Sequence, residues 1–322
     1  MKNFSSNHIR IIAYYWNRYI LRSGSGLTYL MISLLFGLMS SQFLIMPVEK
    51  LFQKTQGAEN FNPQNIKYTI INMEKPVVQF VLGVKSLKQI GQDLPQDLMN
   101  SMTSKQVDEE TSGFDPWTAF LLLKRPALLS SIFLVLLLGM PFAISFLAFN
   151  QVSGDMGTHG LRYLLLKTER GNIYIGRFVG TVVFSTLVNA VLVGVITLYI
   201  GIRINIYPIL TLIGWSFQGF LVLSILMIPY IAVCSMVSAL TESPSLSFLL
   251  TQLIIDGVLL IAVLGSRAWE PIKYIEYLLP WGWQNNLLHP SVIHLLAACL
   301  GCLAYSAVFL MAGFYYFKKR DL

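Results

Sequence analysis

Six apolar runs, each long enough to cross a bilayer, constrain this 322-residue chain more than any other feature. They lie near Gly26–Pro47, Ala127–Phe149, Arg177–Ile200, Ile209–Leu240, Ser245–Gly265 and Ser291–Phe317. A hydrocarbon core of about 30 Å takes roughly 20 apolar residues of helix to cross, and each run meets that length. The expected fold is therefore an all-α membrane protein with six transmembrane helices. Composition agrees, with 55% of residues hydrophobic, 12% charged and a mean hydropathy of +0.61. Soluble domains carry about twice that charged fraction. The fourth run is over-long and contains Pro229, so a kink or a tilt is expected there.

The net charge of +7 does not point to nucleic acid, because the basic residues gather at the ends of the apolar runs. Lys2, Arg10, Arg18 and Arg22 precede the first run, and Arg162, Lys167, Arg170 and Arg177 lie between the second and third. Lys318, Lys319 and Arg320 follow the last. Basic residues beside short loops mark the cytoplasmic side, so both termini are expected there. Lys124 and Arg125 run against the rule, but they end a long loop, and long loops cross largely regardless of charge. The first 26 residues are too long and mixed for a signal peptide, so the first span is expected to insert the chain.

Three segments outside the runs complete the layout. Residues 1–25 hold Ile9, Ile12, Ala13, Trp16 and Ile20 at helical spacing, which reads as an amphipathic interfacial helix on the inner leaflet. An ordinary solvent-facing helix is the alternative. Residues 48–126 form an outer segment with a strand-like run at 67–72 and a helix-like run at 77–92, long enough for a small extracytoplasmic domain. Residues 266–290 carry Trp269, Tyr274, Tyr277, Trp281 and Trp283, the aromatic content of an outer headgroup layer. Spans 2–6 occupy 127–322 with a cytoplasmic loop at 150–176.

Catalytic signatures are missing. There is no G-x-x-x-x-G-K-[ST] phosphate loop, G-x-S-x-G elbow, H-E-x-x-H pair or dinucleotide fingerprint. His8, His159, His289 and His294 are scattered, and Cys299 and Cys302 share C-x-x-C spacing inside an apolar run, where small packing residues are expected. Asp256 is the acid well inside a run, with Asn189, Gln218 and Gln252 as uncharged polar companions on a candidate translocation path. An intramembrane acid marks either a proton or substrate path or a hydrogen bond between helices. Gly176 and Gly180 form a G-x-x-x-G, which marks a close helix crossing or arises by chance.

The loop from Ser153 to Arg177 is the informative stretch. A helix there places Leu161, Leu164 and Leu165 on one face, with Arg162 and Lys167 off it. Such an element docks into a groove on a partner or turns at the membrane surface on basic anchors. Here the sequence resembles the membrane subunit of ABC transporters of the ABC-2 permease type. Those subunits carry an acid, a Gly-Thr-Leu-like step, a paired-leucine helix, a basic residue and a Gly-Lys between their second and third spans. The matching positions are Asp155, Leu161-Arg162-Tyr163-Leu164-Leu165, Arg170 and Gly176-Arg177. The N-terminal amphipathic stretch, Leu279-Pro280-Trp281 and the terminal Phe317-Lys-Lys-Arg-Asp-Leu also agree. His159-Gly160 and Thr168 depart from the pattern, and one residue is missing before Arg170.

The resemblance implies a bacterial inner-membrane exporter subunit with no cofactor or catalysis of its own. Asp155, Leu161, Arg162, Leu164, Leu165 and Arg170 would then couple to a separate ATPase that holds ATP and Mg. A second copy of the chain would complete the path as a homodimer, and 48–126 would offer a surface to an extracytoplasmic partner. Two readings from other classes stand beside it: a proton-coupled secondary transporter using Asp256, and a membrane scaffold that recruits an envelope partner through 48–126.

Overall fold

The structure, a computed structural model, describes residues 6–55, 121, 125–158, 160–203, 207–268, 280–283, 287 and 292–320. Most of the 48–126 segment, including 67–72 and 77–92, and the aromatic stretch 269–279 lie outside the described residues. Every regular element among the described residues is helical. In chain order these are α1 (Ser6–Arg22), α2 (Gly24–Thr55), α3 (Ala127–Ala148), α4 (Ser153–Gly157), α5 (Leu161–Leu165), α6 (Arg170–Arg203), α7 (Ile209–Leu240), α8 (Pro244–Ala268) and α9 (Val292–Lys319), with a single 3-10 turn at Pro280–Trp283.

Among the described residues five helical stretches are long and apolar enough to cross a membrane: Gly24–Pro47, Ala127–Gly157, Arg170–Arg203, Ile209–Leu240 and Ile293–Lys319. The fifth expected run, Ser245–Gly265, falls within α8, whose described side chains make an apolar stretch over Pro244–Val258 only. α3 and α7 form the centre: 67% of the apolar window of each is buried, against 33% for α2 and 17% for α9. A helix apolar on all sides belongs in the middle of such a bundle; Gly219 of α7 packs on Phe133 of α3, and the Trp215 indole donates to Ser130 Oγ at 3.1 Å. α7 runs unbroken through Pro229.

α2 and α6 run parallel and in register. Tyr29 meets Ser185 at 3.2 Å, Gly37 packs on Leu192, and Gln42 accepts a hydrogen bond from Tyr199. A second, smaller core lies at one end of the bundle. Val152, Met156, Leu161, Ile173, Tyr174, Ala239 and Phe317 close around each other there, with Tyr174 stacked on Phe317 at 5.9 Å.

Three boundaries differ from expectation. α6 begins at Arg170 rather than Arg177, because its polar first two turns are packed against α1 and the small core rather than exposed. α2 continues past Pro47 to Thr55. The single docking helix expected over Asp155–Arg170 is two short turns, α4 and α5, parted around Thr158 and Gly160.

α1 also sits differently from a helix resting only on lipid. Its Ala13, Trp16 and Ile20 are buried, and its main packing partner is α6. The seat is the Gly176-x-x-x-Gly180 pair. A Cβ on Gly176 would stand 2.7 Å from Ile12 Cγ2, and one on Gly180 would stand 2.9 Å from Trp16 Cδ1. Without side chains at those two positions the backbones approach closely, the use of small-xxx-small spacing that holds in membranes. The opposite face of α1 exposes Ile11, Tyr14, Tyr15, Arg18 and Tyr19.

Candidate functional site

One end of the bundle gathers four pieces of the chain: α1, the 150–170 loop, the α7–α8 turn and the end of α9. Charged side chains hold them together. Arg177, two turns into α6, is 5% exposed. Its Nη1 donates to the Gln151 carbonyl at 2.6 Å, its Nη2 pairs with Asp155 Oδ2, and its Cζ lies 4.7 Å from the centre of the Trp16 ring. A buried guanidinium is strongly unfavourable unless its donors are used, and here the loop supplies the acceptors. Trp16 in turn donates its indole N–H to Thr181 Oγ1 at 2.9 Å.

The base of the loop is pinned to α7 as well. Ser238 Oγ accepts from the backbone N–H groups of Val152 and Ser153 at 2.9 and 3.0 Å, and Ser235 donates to Gln151 Oε1 at 2.5 Å. Those bonds satisfy N–H groups at the start of α4 that have no partner within the helix. At the other side Arg170 Nη1 donates to the carbonyls of Phe317, Lys318 and Arg320 at 3.3, 3.1 and 2.6 Å, closing the open carbonyl end of α9. Arg320 pairs with Glu242 at 2.8 Å and donates to the Ala239 carbonyl at 3.1 Å.

On this rigid base the residues expected to share one face separate. Leu161 is buried in the small core, and Leu165 packs partly against it. Leu164 is 39% exposed, and Arg162 and Lys167 are exposed. The outermost apolar groups are Tyr163, 76% exposed, and Leu166, 85% exposed. Neither stood out in the leucine pattern, although their spacing of three places them on one side of a helical turn. A shallow cleft of about 630 Å³ runs beside this tip, lined by His8, Leu165, Leu166, Lys167, Arg170 and Asn172 among others.

The polar residues expected along a path lie on three helices, α6, α7 and α8. Asn189 is fully buried in α6, and both of its amide atoms lack a hydrogen-bond partner among the described residues. It lies one helical turn beyond Ser185, which meets Tyr29 of α2. Gln252 and Asp256 are one turn apart on α8, which packs on α7 and α3. Gln252 Oε1 and Asp256 Oδ1 are buried with no hydrogen-bond partner in the described residues. Gln218 is half-buried on α7. Among the described residues no three His, Cys, Asp or Glu side chains stand together as metal ligands would, and Cys234, Cys299 and Cys302 are free thiols.

Arg125, the basic residue that ran against the topology rule, lies at the opposite end of α3 from the loop. It stacks its guanidinium 4.7 Å above Trp215, and burial lowers its pKa from the usual arginine value. No family model matches the chain, and no curated protein matches it.

Proposed function

We propose that this chain is the membrane-spanning subunit of an ATP-driven transporter of the ABC-2 permease type, working with a separate ATPase. The observation that carries the proposal is the exposed tip Tyr163-Leu164-Leu166, flanked by Arg162 and Lys167, on a loop bolted to α6 and α7. An apolar cluster rimmed by cations on a stiff base is the form of a docking knob, since large apolar groups left in water favour a partner's groove. In this reading α8 is the sixth span, and both termini and the 150–170 loop face the cytoplasm of a bacterial inner membrane. The tyrosines and arginine on the outward face of α1 sit among the headgroups. A second copy of the chain completes the translocation path as a homodimer, and the partner ATPases hold ATP and Mg. Export is the direction the resemblance favours.

The test is isolation of the protein from its native membrane in mild detergent, comparing wild type with Tyr163→Asp/Leu166→Asp. Both positions are exposed, so the substitutions leave the core intact. Co-isolation of a P-loop ATPase with wild type and its loss from the variant support the proposal. An intact wild type that brings no ATPase counts against it.

A second reading draws on Asp256, whose buried Oδ1 has no hydrogen-bond partner in the described residues. A lone intramembrane acid suits a proton-coupled secondary transporter. Asp256→Asn distinguishes the two: loss of transport with assembly intact favours proton coupling, and retained transport removes it.

A further inference from the structure

Arg177 stands where three elements meet, and its fork is divided among them. The edges of the guanidinium serve the loop, through the Gln151 carbonyl and the Asp155 carboxylate. Its Cζ lies over the Trp16 ring of α1, 4.7 Å from the ring centre. Its own backbone carbonyl accepts from Thr181, which in turn accepts from the Trp16 indole, so the ring is held at two points on α6. Gln151 carries the linkage on to Ser235 of α7. Asp155 and Trp16 are therefore joined through one side chain that is 6% exposed.

We infer that Arg177 is a positioning residue that joins α1, the 151–157 loop and the start of α6 into one moving unit. Displacement of the loop then carries α1 with it and, through the short turn at Ser23, reaches the first span. The source of that displacement rests on the transporter reading above, but the linkage is a property of the chain alone. The planar fork is what the role requires. Lysine at this position offers one point charge, which reaches Asp155 but does not also bond the Gln151 carbonyl while holding a cation over the indole.

The test is a double-mutant cycle of Trp16→Leu and Asp155→Asn in lipid nanodiscs, read by thermal midpoint and by hydrogen exchange of residues 6–22. The two residues are coupled here through Arg177, so their effects are expected to be non-additive, the loss from Trp16→Leu falling to about half or less once Asp155 is changed. In an Arg177→Lys background the non-additivity is expected to vanish. Asp155→Asn is expected to speed exchange in α1 several-fold, although Asp155 is on a different element. Additive shifts, with faster exchange confined to 150–165, overturn the inference. Should Asp155→Asn fail to fold, Asp155→Glu, which keeps the charge and displaces it, takes its place in the cycle.

A second arm separates linkage from mere support of the fold. With a co-purifying ATPase, Arg177→Lys is expected to keep the ATPase bound while losing the membrane subunit's effect on ATP hydrolysis. Undiminished stimulation in that variant overturns the inference. If wild type brings no ATPase, the transporter reading fails, and the cycle still decides the linkage.

Discussion

Gly180 lies directly beneath Trp16: a Cβ at that glycine would stand 2.9 Å from the indole Cδ1 and 3.0 Å from the Ala13 carbonyl oxygen. Backbone, not a flexible side-chain end, is part of that contact, so α1 has little room to yield. Gly180→Val is expected to cost about 1–3 kcal/mol, the usual range for overfilling a packed site. Trypsin cleavage at the exposed Arg10, Arg18 and Arg22 should accelerate as α1 lifts away. Gly194→Ala, later in the same helix with nothing within 4 Å, is the control and should gain up to about 1 kcal/mol from helix propensity.

Arg170 and Arg320 both tie the end of α9, but their bonds differ in kind. Arg170 reaches three open carbonyls of the helix end, whereas the Arg320–Glu242 pair joins a half-buried cation to a carboxylate that is 75% exposed. Arg170→Ala is expected to destabilise by about 1 kcal/mol or more, with faster hydrogen exchange over residues 310–320. Glu242→Gln should stay within about 0.5 kcal/mol, as solvent-screened pairs do. Equal effects from the two variants would contradict this assignment.

The helices were legible in the sequence because crossing a bilayer demands long apolar runs: five of the six expected runs fall on helices long and apolar enough to cross (α2, α3, α6, α7 and α9), and the sixth falls on α8, whose described apolar stretch is shorter. The start of α6 was not legible. Hydropathy falls at Gly171-Asn172 and Arg177, yet the helix continues, because the Arg177 charge is met by Trp16 and Asp155, far from it in sequence. G-x-x-x-G spacing left Gly176 and Gly180 open between a close crossing and chance, and did not name the helix that crosses. The leucine pattern in 161–165 identified an amphipathic element, but Leu161 proved to be its anchor, and the outer tip is Tyr163 and Leu166. Arg170, expected to meet a partner, is engaged with the end of α9. Asn189, expected on a path, is buried in α6 with its amide unbonded among the described residues.

That position of Asn189 makes a further prediction. Leaving a buried polar group unpaired costs about 1–3 kcal/mol, so an apolar side chain of similar shape should be better tolerated than the amide. Asn189→Leu is expected to match or raise the thermal midpoint in detergent. A fall of several degrees with no change in helix content would indicate that the amide is bonded in the membrane.

The most direct test of the docking tip is site-specific photocrosslinking. A benzophenone amino acid replaces Tyr163 or Leu166 in turn, with buried Tyr174 as the control, and native membranes are irradiated. Adducts from positions 163 and 166 to a P-loop ATPase, absent from position 174, are the expected result. Adducts to lipid alone, or an ATPase adduct no stronger from 163 than from 174, would contradict the account.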